Sequence, residues 1–220
     1  METIDSLKIA LRRLPPFLAF HRLHQRRQYR RWLNAGQPVP PPHMTKQLAI
    51  KAAARRYGLR SFVETGTYMG DMVYALLDIF DELYSIEVSD ELFQRAARRF
   101  ALQPKVHLVH GDSASALVDV LHQLKGPAAF WLDGHYSGGS TGRAGPSAPI
   151  LKELELIAGS RFARQHYILI DDARAFVGND EYPDLTTLRR AAATAGFDGF
   201  AVESDVIHLR GAGEKARNDA

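Results

Sequence analysis

Between Leu59 and Leu209 the spacing of apolar residues switches repeatedly between a period of two and a period near 3.6. Ser61–Thr65 is a short apolar and β-branched run closed by a glycine, and it predicts a strand. Asp71 to Phe80 places Met72, Val73, Leu76, Leu77 and Phe80 on one helical face. Leu83–Val88 predicts a second strand, and Ser89 is positioned to cap a helix that buries Leu92, Phe93, Ala96, Ala97 and Phe100. Val106–His110 predicts a third strand, before a helix with Ala116, Leu117, Val120, Leu121 and Leu124 inward. Ala128–Leu132 predicts a fourth strand. A glycine-rich loop from Gly134 to Gly145 then leads to a helix with Pro149 in its first turn. Tyr167–Ile170 predicts a fifth strand, and Leu185–Ala195 a helix stopped by Gly196. Phe200–Val202 and Val206–Leu209 close the series as two strands.

Strands alternating with helices on this scale predict an α/β fold, doubly wound, with helices on both faces of a mostly parallel sheet. Too few residues separate the last two strands for a crossover helix, so that pair must be antiparallel. In such sheets ligands sit beyond the carboxyl ends of the strands, and candidate chemistry belongs there.

Composition changes this picture only at the amino terminus. The chain has 220 residues, 45% of them hydrophobic and 24% charged, and no cysteine. These values exclude a disordered or fibrous chain, a disulfide scaffold, a thiolate metal site and a cysteine nucleophile. The longest apolar or proline run, Leu14 to Phe20, is far short of the ~20 residues that span a bilayer. The net charge of +3 is unevenly distributed. Lys8, Arg12, Arg13, Arg22, Arg26, Arg27, Arg30 and Arg31 face only Glu2 and Asp5 before residue 34, so the rest of the chain is net acidic. Residues 1–44 are expected to form a basic arm ending in a stiff extended linker, Gln37–Pro42, ahead of a domain at 45–220. Leu7, Leu11, Leu14 and Leu18 recur at helical spacing, interrupted by Pro15-Pro16. Such an arm is a candidate for contact with anionic lipid or a protein partner, the alternative being a solvated arm packed loosely on the body. No secretory signal is recognisable, and a cytoplasmic location, with peripheral membrane contact through the arm, is the expectation.

Five predicted strands end in related chemistry: Glu64-Thr-Gly66-Thr-Tyr68-Met-Gly70, Glu87, Gly111-Asp112-Ser113, Asp133-Gly-His135 and Asp171-Asp172. A single strand-end aspartate is usually a helix cap, but five acidic ends along one rim ask for another explanation. Gly66 and Gly70 allow a sharp turn and close backbone approach to a ligand. Glu87 follows Gly66 by about 20 residues, the spacing of a carboxylate that holds ribose hydroxyls. The full G-x-G-x-x-G fingerprint is missing and Tyr68 stands where a pyrophosphate would pass. The pocket therefore favours an adenosine without phosphates, and an acidic rim favours a cationic cofactor.

These residues resemble the class I S-adenosylmethionine-dependent methyltransferases. Glu64 to Gly70 is similar to their first motif, Glu87 to the ribose-binding acid, and Asp112-Ser113 to the loop beside the adenine. The resemblance covers Leu59 to Leu209. It implies a Rossmann-like seven-stranded sheet with an antiparallel last strand and S-adenosylmethionine as cofactor, with Glu64, Gly66, Tyr68, Gly70, Glu87, Asp112 and Ser113 binding it. The second half is similar to the metal-dependent O-methyltransferases of the catechol and macrocin types. There Asp133, Asp171 and Asp172 would hold Mg²⁺, which would bind and acidify an acceptor hydroxyl. His135 stands where the macrocin type has an acidic general base, and an imidazole can take that proton. The alternatives stay open. His135 can be a loop residue bonded to backbone, and the aspartates can cap turns or contact ligand in a metal-free enzyme.

The expected function is methyl transfer to a hydroxyl of a small sugar-like or natural-product acceptor, with Asp133 and His135 as catalytic candidates. The alternative is a non-catalytic nucleoside-binding or partner-docking module on the same fold. A nicotinamide-dependent oxidoreductase is disfavoured by the missing glycine fingerprint. Nucleic acid is disfavoured as partner because the positive charge is confined to the arm and no aromatic-basic RNA motif occurs.

Overall fold

The computed structural model describes residues 15–133, 149–179 and 182–211, with the backbone alone for 15–22. Its helices are α1 (Pro15–Asn34), α2 (His43–Tyr57), α3 (Asp71–Leu76), α4 (Asp90–Phe100), α5 (Ser113–Gln123), α6 (Pro149–Ala158) and α7 (Leu185–Thr194). Its strands are β1 (Ser61–Thr65), β2 (Glu82–Glu87), β3 (Val106–His110), β4 (Ala128–Leu132), β5 (Tyr167–Ile170), β6 (Gly199–Glu203) and β7 (Val206–Arg210).

The seven strands form one sheet in the order β3-β2-β1-β4-β5-β7-β6. The first five are mutually parallel, and β7 runs antiparallel to both β5 and β6. This is the Rossmann-like sheet with an antiparallel last strand that the alternation and the resemblance implied. The strand order reverses between β1 and β4, which makes their carboxyl ends the switch point.

Side-chain alternation divides the core between the two faces. Val63, Ile86, Phe130, Leu132, Ile168 and Ile170 face one way, where α5, α6 and α7 supply Leu117, Leu154, Ile157 and Leu188. Phe62, Leu83, Trp131 and Leu169 face the other, against Ile50 and Ala54 of α2, Val73 and Leu76 of α3, and Ala96 and Phe100 of α4. β1, β4 and β5 are buried on both faces, which is why their sequences read as nearly continuous apolar runs.

After the linker, two elements differ from the sequence reading. The helix expected over 71–80 stops at Leu76, because Ile79 and Phe80 turn back onto the Leu76 carbonyl and Asp81 N–H bonds to the Arg60 carbonyl to start β2. α2 was not expected at all. Its inward face is Gln47, Ile50, Ala53 and Ala54, a helical stripe that opens on a polar residue and is mostly alanine.

Pro15 and Pro16 lie in the first turn of α1, where a proline's missing N–H costs nothing. Arg26, Arg27, Arg30 and Arg31 are exposed, whereas Trp32 is buried and its Nε1 donates to the Pro38 carbonyl at 2.7 Å. Gly36 and Gln37 have φ of 79° and 60°, so the chain turns a corner where a straight spacer was expected. Leu7, Leu11 and Leu14 lie outside the described residues. Among the described residues no helix is long and apolar enough to cross a membrane.

Candidate functional site

Strand register assembles the rim. Thr65 pairs with Ile86 and with Leu132, Leu132 with Ile170, and Glu87 with His110. The residues that follow are therefore brought side by side: Gly66 N–H bonds to the Ile86 carbonyl, Gly111 N–H to that of Glu87, and Asp171 N–H to that of Leu132. The five acidic strand ends read from the sequence share one edge of the sheet.

The loop after β1 is held by Gly66 and Thr67 N–H on the Ile86 carbonyl and by Gly70 N–H on the Thr67 carbonyl, at 2.8 Å for the last. Gly66, Tyr68 and Gly70 have φ of 94°, 48° and 72°. A side chain at Gly66 would begin 3.6 Å from Asp133 Cβ, so the loop lies against the end of β4. The Tyr68 side chain is 68% exposed.

Glu87 is buried, and both of its oxygens are committed to this loop and the next. Oε2 accepts Tyr68 N–H at 2.8 Å and Oε1 accepts Ser89 N–H at 2.9 Å. A carboxylate has about four lone-pair sites, so each oxygen keeps a further acceptor site. Ser89 also caps α4 by accepting Leu92 N–H. Glu64 lies beneath the loop. Ser85 Oγ donates to its Oε1 at 2.6 Å, and the Ser85 and Thr67 hydroxyls are 2.5 Å apart. Burial pushes the Glu64 carboxyl up to about 8, the Ser85 hydrogen bond opposing and Asp133 and Glu87 adding to the rise. Glu64 thus supports the loop from below as a protonated acid near neutral pH.

Asp112 is exposed and caps α5, accepting Ser115 N–H at 3.2 Å. Ser113 opens that helix and lies beside Glu153 of α6, which sequence reasoning passed over. Burial pushes the Glu153 carboxyl up to about 7, with the Ser113 and Thr65 hydroxyls opposing and Asp112 and Asp133 reinforcing. The signal was present: Ile150, Glu153, Leu154 and Ile157 form one inward stripe, and a glutamate inside such a stripe is either paired or functional. His135, and with it Tyr136 and Arg143 of the 134–145 loop, lies outside the described residues.

The end of β5 departs from the expected metal arrangement. Lys46 of α2 donates to Asp171 Oδ2 at 2.6 Å and to Asp172 Oδ1 at 3.3 Å. Asp171 Oδ1 accepts Asp172 N–H at 2.7 Å, and Asp172 Oδ1 also accepts from Arg174 at 2.8 Å. Arg174 in turn pairs with Asp205 in the β6–β7 turn. Asp172 has φ of 52°, a left-handed conformation that this network holds in place. Burial opposes the Lys46 charge, but Asp171 and Asp172 outweigh it and hold the ammonium above the ordinary lysine range. Burial likewise pushes Asp171 up to about 6, against Lys46. Among the described residues no three carboxylate or imidazole groups gather as a cation site. Asp133, Asp171 and Asp172 do not fit the Mg²⁺ set expected of them, because Lys46 and Arg174 already occupy oxygens of the Asp171–Asp172 pair. Lys46 could not be read from the sequence, since it lies 125 residues from Asp171 on an unrecognised helix.

No protein-family model matches the chain, and no curated protein matches it. Among solved structures it is similar to the SAH-bound methyltransferase PaMTH1 of Podospora anserina, at 17% identity over 95% of each chain, with a TM-score of 0.55. It is similar to the O-methyltransferase from Bacillus cereus solved in complex with SAH, at 14% identity over 84% of this chain and 90% of that one, TM-score 0.53. It is also similar to the 23S rRNA methyltransferase ErmE, at 14% identity over 77% and 68%, TM-score 0.52. At these identities the likeness is one of fold. The chain has the class I methyltransferase fold, the fold the first motif and the ordered strand ends pointed to.

Proposed function

We propose that the protein is an S-adenosylmethionine-dependent methyltransferase acting on a hydroxyl oxygen of a small, hydroxyl-rich acceptor of sugar or natural-product type. One observation carries this reading: the buried Glu87 carboxylate, fixed by Tyr68 and Ser89 N–H groups, flanks a glycine turn at the switch point of the sheet. That arrangement suits a ribose diol beside a backbone free of side chains. Glu87, Asp112 and Asp133 bring carboxylates to this end of the sheet, which favours a cationic adenosine derivative.

S-adenosylmethionine supplies a methyl group already activated on a sulfonium centre, so the protein's share is alignment and proton removal. Glu87 holds the ribose, Gly66 admits the cofactor to the loop, Gly70 makes the turn that lets Phe100 pack behind it, and the Asp112–Ser113 turn borders the adenine. Asp133, across from Gly66, faces the acceptor side and orients the hydroxyl. His135, two residues on, takes the hydroxyl proton as the oxygen gains the methyl group. The oxygen acceptor is favoured by the likeness to the Bacillus cereus O-methyltransferase. The same fold serves an rRNA methyltransferase, and fold alone does not choose between acceptors.

Calorimetric titration of the folded protein with S-adenosylhomocysteine tests the reading. Binding is expected, and a screen of hydroxylated acceptors with mass detection of methyl transfer then identifies the substrate class. Absence of binding would overturn the proposal in favour of a partner-docking module that has the fold without the cofactor.

A further inference from the structure

We propose that Lys46 is the resident cation of this site: its ammonium closes the Asp171–Asp172 pair to divalent metal, and acceptor methylation proceeds without one. The second clause rests on the function proposed above; the first does not.

At least three of the four carboxylate oxygens of the pair are committed. Asp171 Oδ1 accepts Asp172 N–H, Asp171 Oδ2 accepts from Lys46, and Asp172 Oδ1 accepts from both Lys46 and Arg174. The two aspartate side chains are each 7% exposed, so water does not screen these contacts. Lys46 and Arg174 already donate to the oxygens a metal would need, with Arg174 shared between Asp172 and Asp205. A hard divalent ion requires several uncommitted oxygen donors. The anchoring is also structural. Lys46 comes from α2, which packs on the sheet through Ile50 and Ala54, so the ammonium is delivered to the end of β5 by a fixed helix. Its 14% exposure places it at the edge of the rim rather than beneath it. Breaking such a buried pair by removing one partner leaves uncompensated charge, and an ion that supplies the missing positive charge is then favoured.

The experiment is Mn²⁺ titration followed by electron paramagnetic resonance, on the wild-type chain, Lys46→Arg, Lys46→Met, Asp171→Asn and Lys46→Met/Asp171→Asn, each checked for folding by circular dichroism. Wild type and Lys46→Arg are expected to leave the free Mn²⁺ signal unchanged. Lys46→Met, which keeps the apolar stem without the charge, gains Mn²⁺ affinity of about tenfold or more, and the double variant loses it. A merely structural lysine would not produce a charge-specific gain of metal binding. Wild-type Mn²⁺ binding that disappears in Asp171→Asn would overturn the proposal, and so would a folded Lys46→Met that binds no better than wild type. Should Lys46→Met fail to fold, wild type against Asp171→Asn decides alone. S-adenosylhomocysteine titration of the same samples separates the two ideas. Loss of cofactor binding together with rejection of Mn²⁺ removes the functional reading and leaves the role of Lys46 standing.

Discussion

The ring of Phe100 stands 2.7 Å from the point where a side chain at Gly70 would begin. α4 therefore holds the glycine loop closed from behind, and Gly70 satisfies two demands at once. Its φ of 72° disfavours any residue with a Cβ, and the Phe100 ring leaves no room for one. Gly70→Ala is expected to cost about 2 kcal/mol, a fall of about 4–8 °C in Tm, and to weaken S-adenosylhomocysteine binding. Phe100→Leu in the same chain relieves the clash but not the backbone strain. The double variant should lose less than the sum of the single losses, as read by thermal unfolding.

Glu87 carries the cofactor assignment. Glu87→Ala removes the acceptor for two backbone N–H groups and for the ribose hydroxyls together. S-adenosylhomocysteine affinity should fall about 10- to 100-fold by calorimetry. An unchanged affinity in a folded variant would remove the nucleoside from this end of the sheet.

Glu64 sets one pH dependence of stability. Its carboxyl rises from 4.5 to about 8 on folding, chiefly through burial, so the folded chain holds a proton that the unfolded chain has released. Its contribution is greatest at low pH and is lost as pH rises from 4.5 through about 8. Glu64→Gln keeps an acceptor for Ser85 and cannot ionise. Its Tm relative to wild type should increase across that window, by about 2–4 °C for each kcal/mol of ionisation cost removed.

His166 sets the opposite dependence, at the other end of the sheet. It is buried, Nδ1 accepts Ala128 N–H at 3.0 Å and Nε2 lies 3.0 Å from Ser160 Oγ. Burial lowers its pKa from 6.5 to about 4, so the neutral ring's contribution is full above 6.5 and is lost as pH falls through about 4. His166→Asn retains an acceptor for Ala128 at lower overall stability. The stability gap between wild type and variant should narrow from pH 6.5 to 4, and denaturant unfolding at several pH values measures it.

Sequence alone determined the elements and the end of the sheet at which chemistry sits. β1, β4 and β5 are buried on both faces and α4 and α5 carry capped amphipathic stripes, so burial wrote itself into the local pattern. Gly66, Gly70 and Glu87 were legible for the same reason, since turn conformation and strand-end position are local properties. α2 was not legible, because alanines and Gln47 give its buried face little contrast with its exposed one. Tertiary structure decided the charge state of the rim. Whether Asp171 and Asp172 face a metal or an ammonium depends on what a helix 125 residues away brings to them, and electrostatic pairing across the fold leaves no periodicity in the chain. The same holds for Glu64 and Glu153, whose carboxyls are ordinary in sequence and become proton-holding groups only once water has been excluded around them.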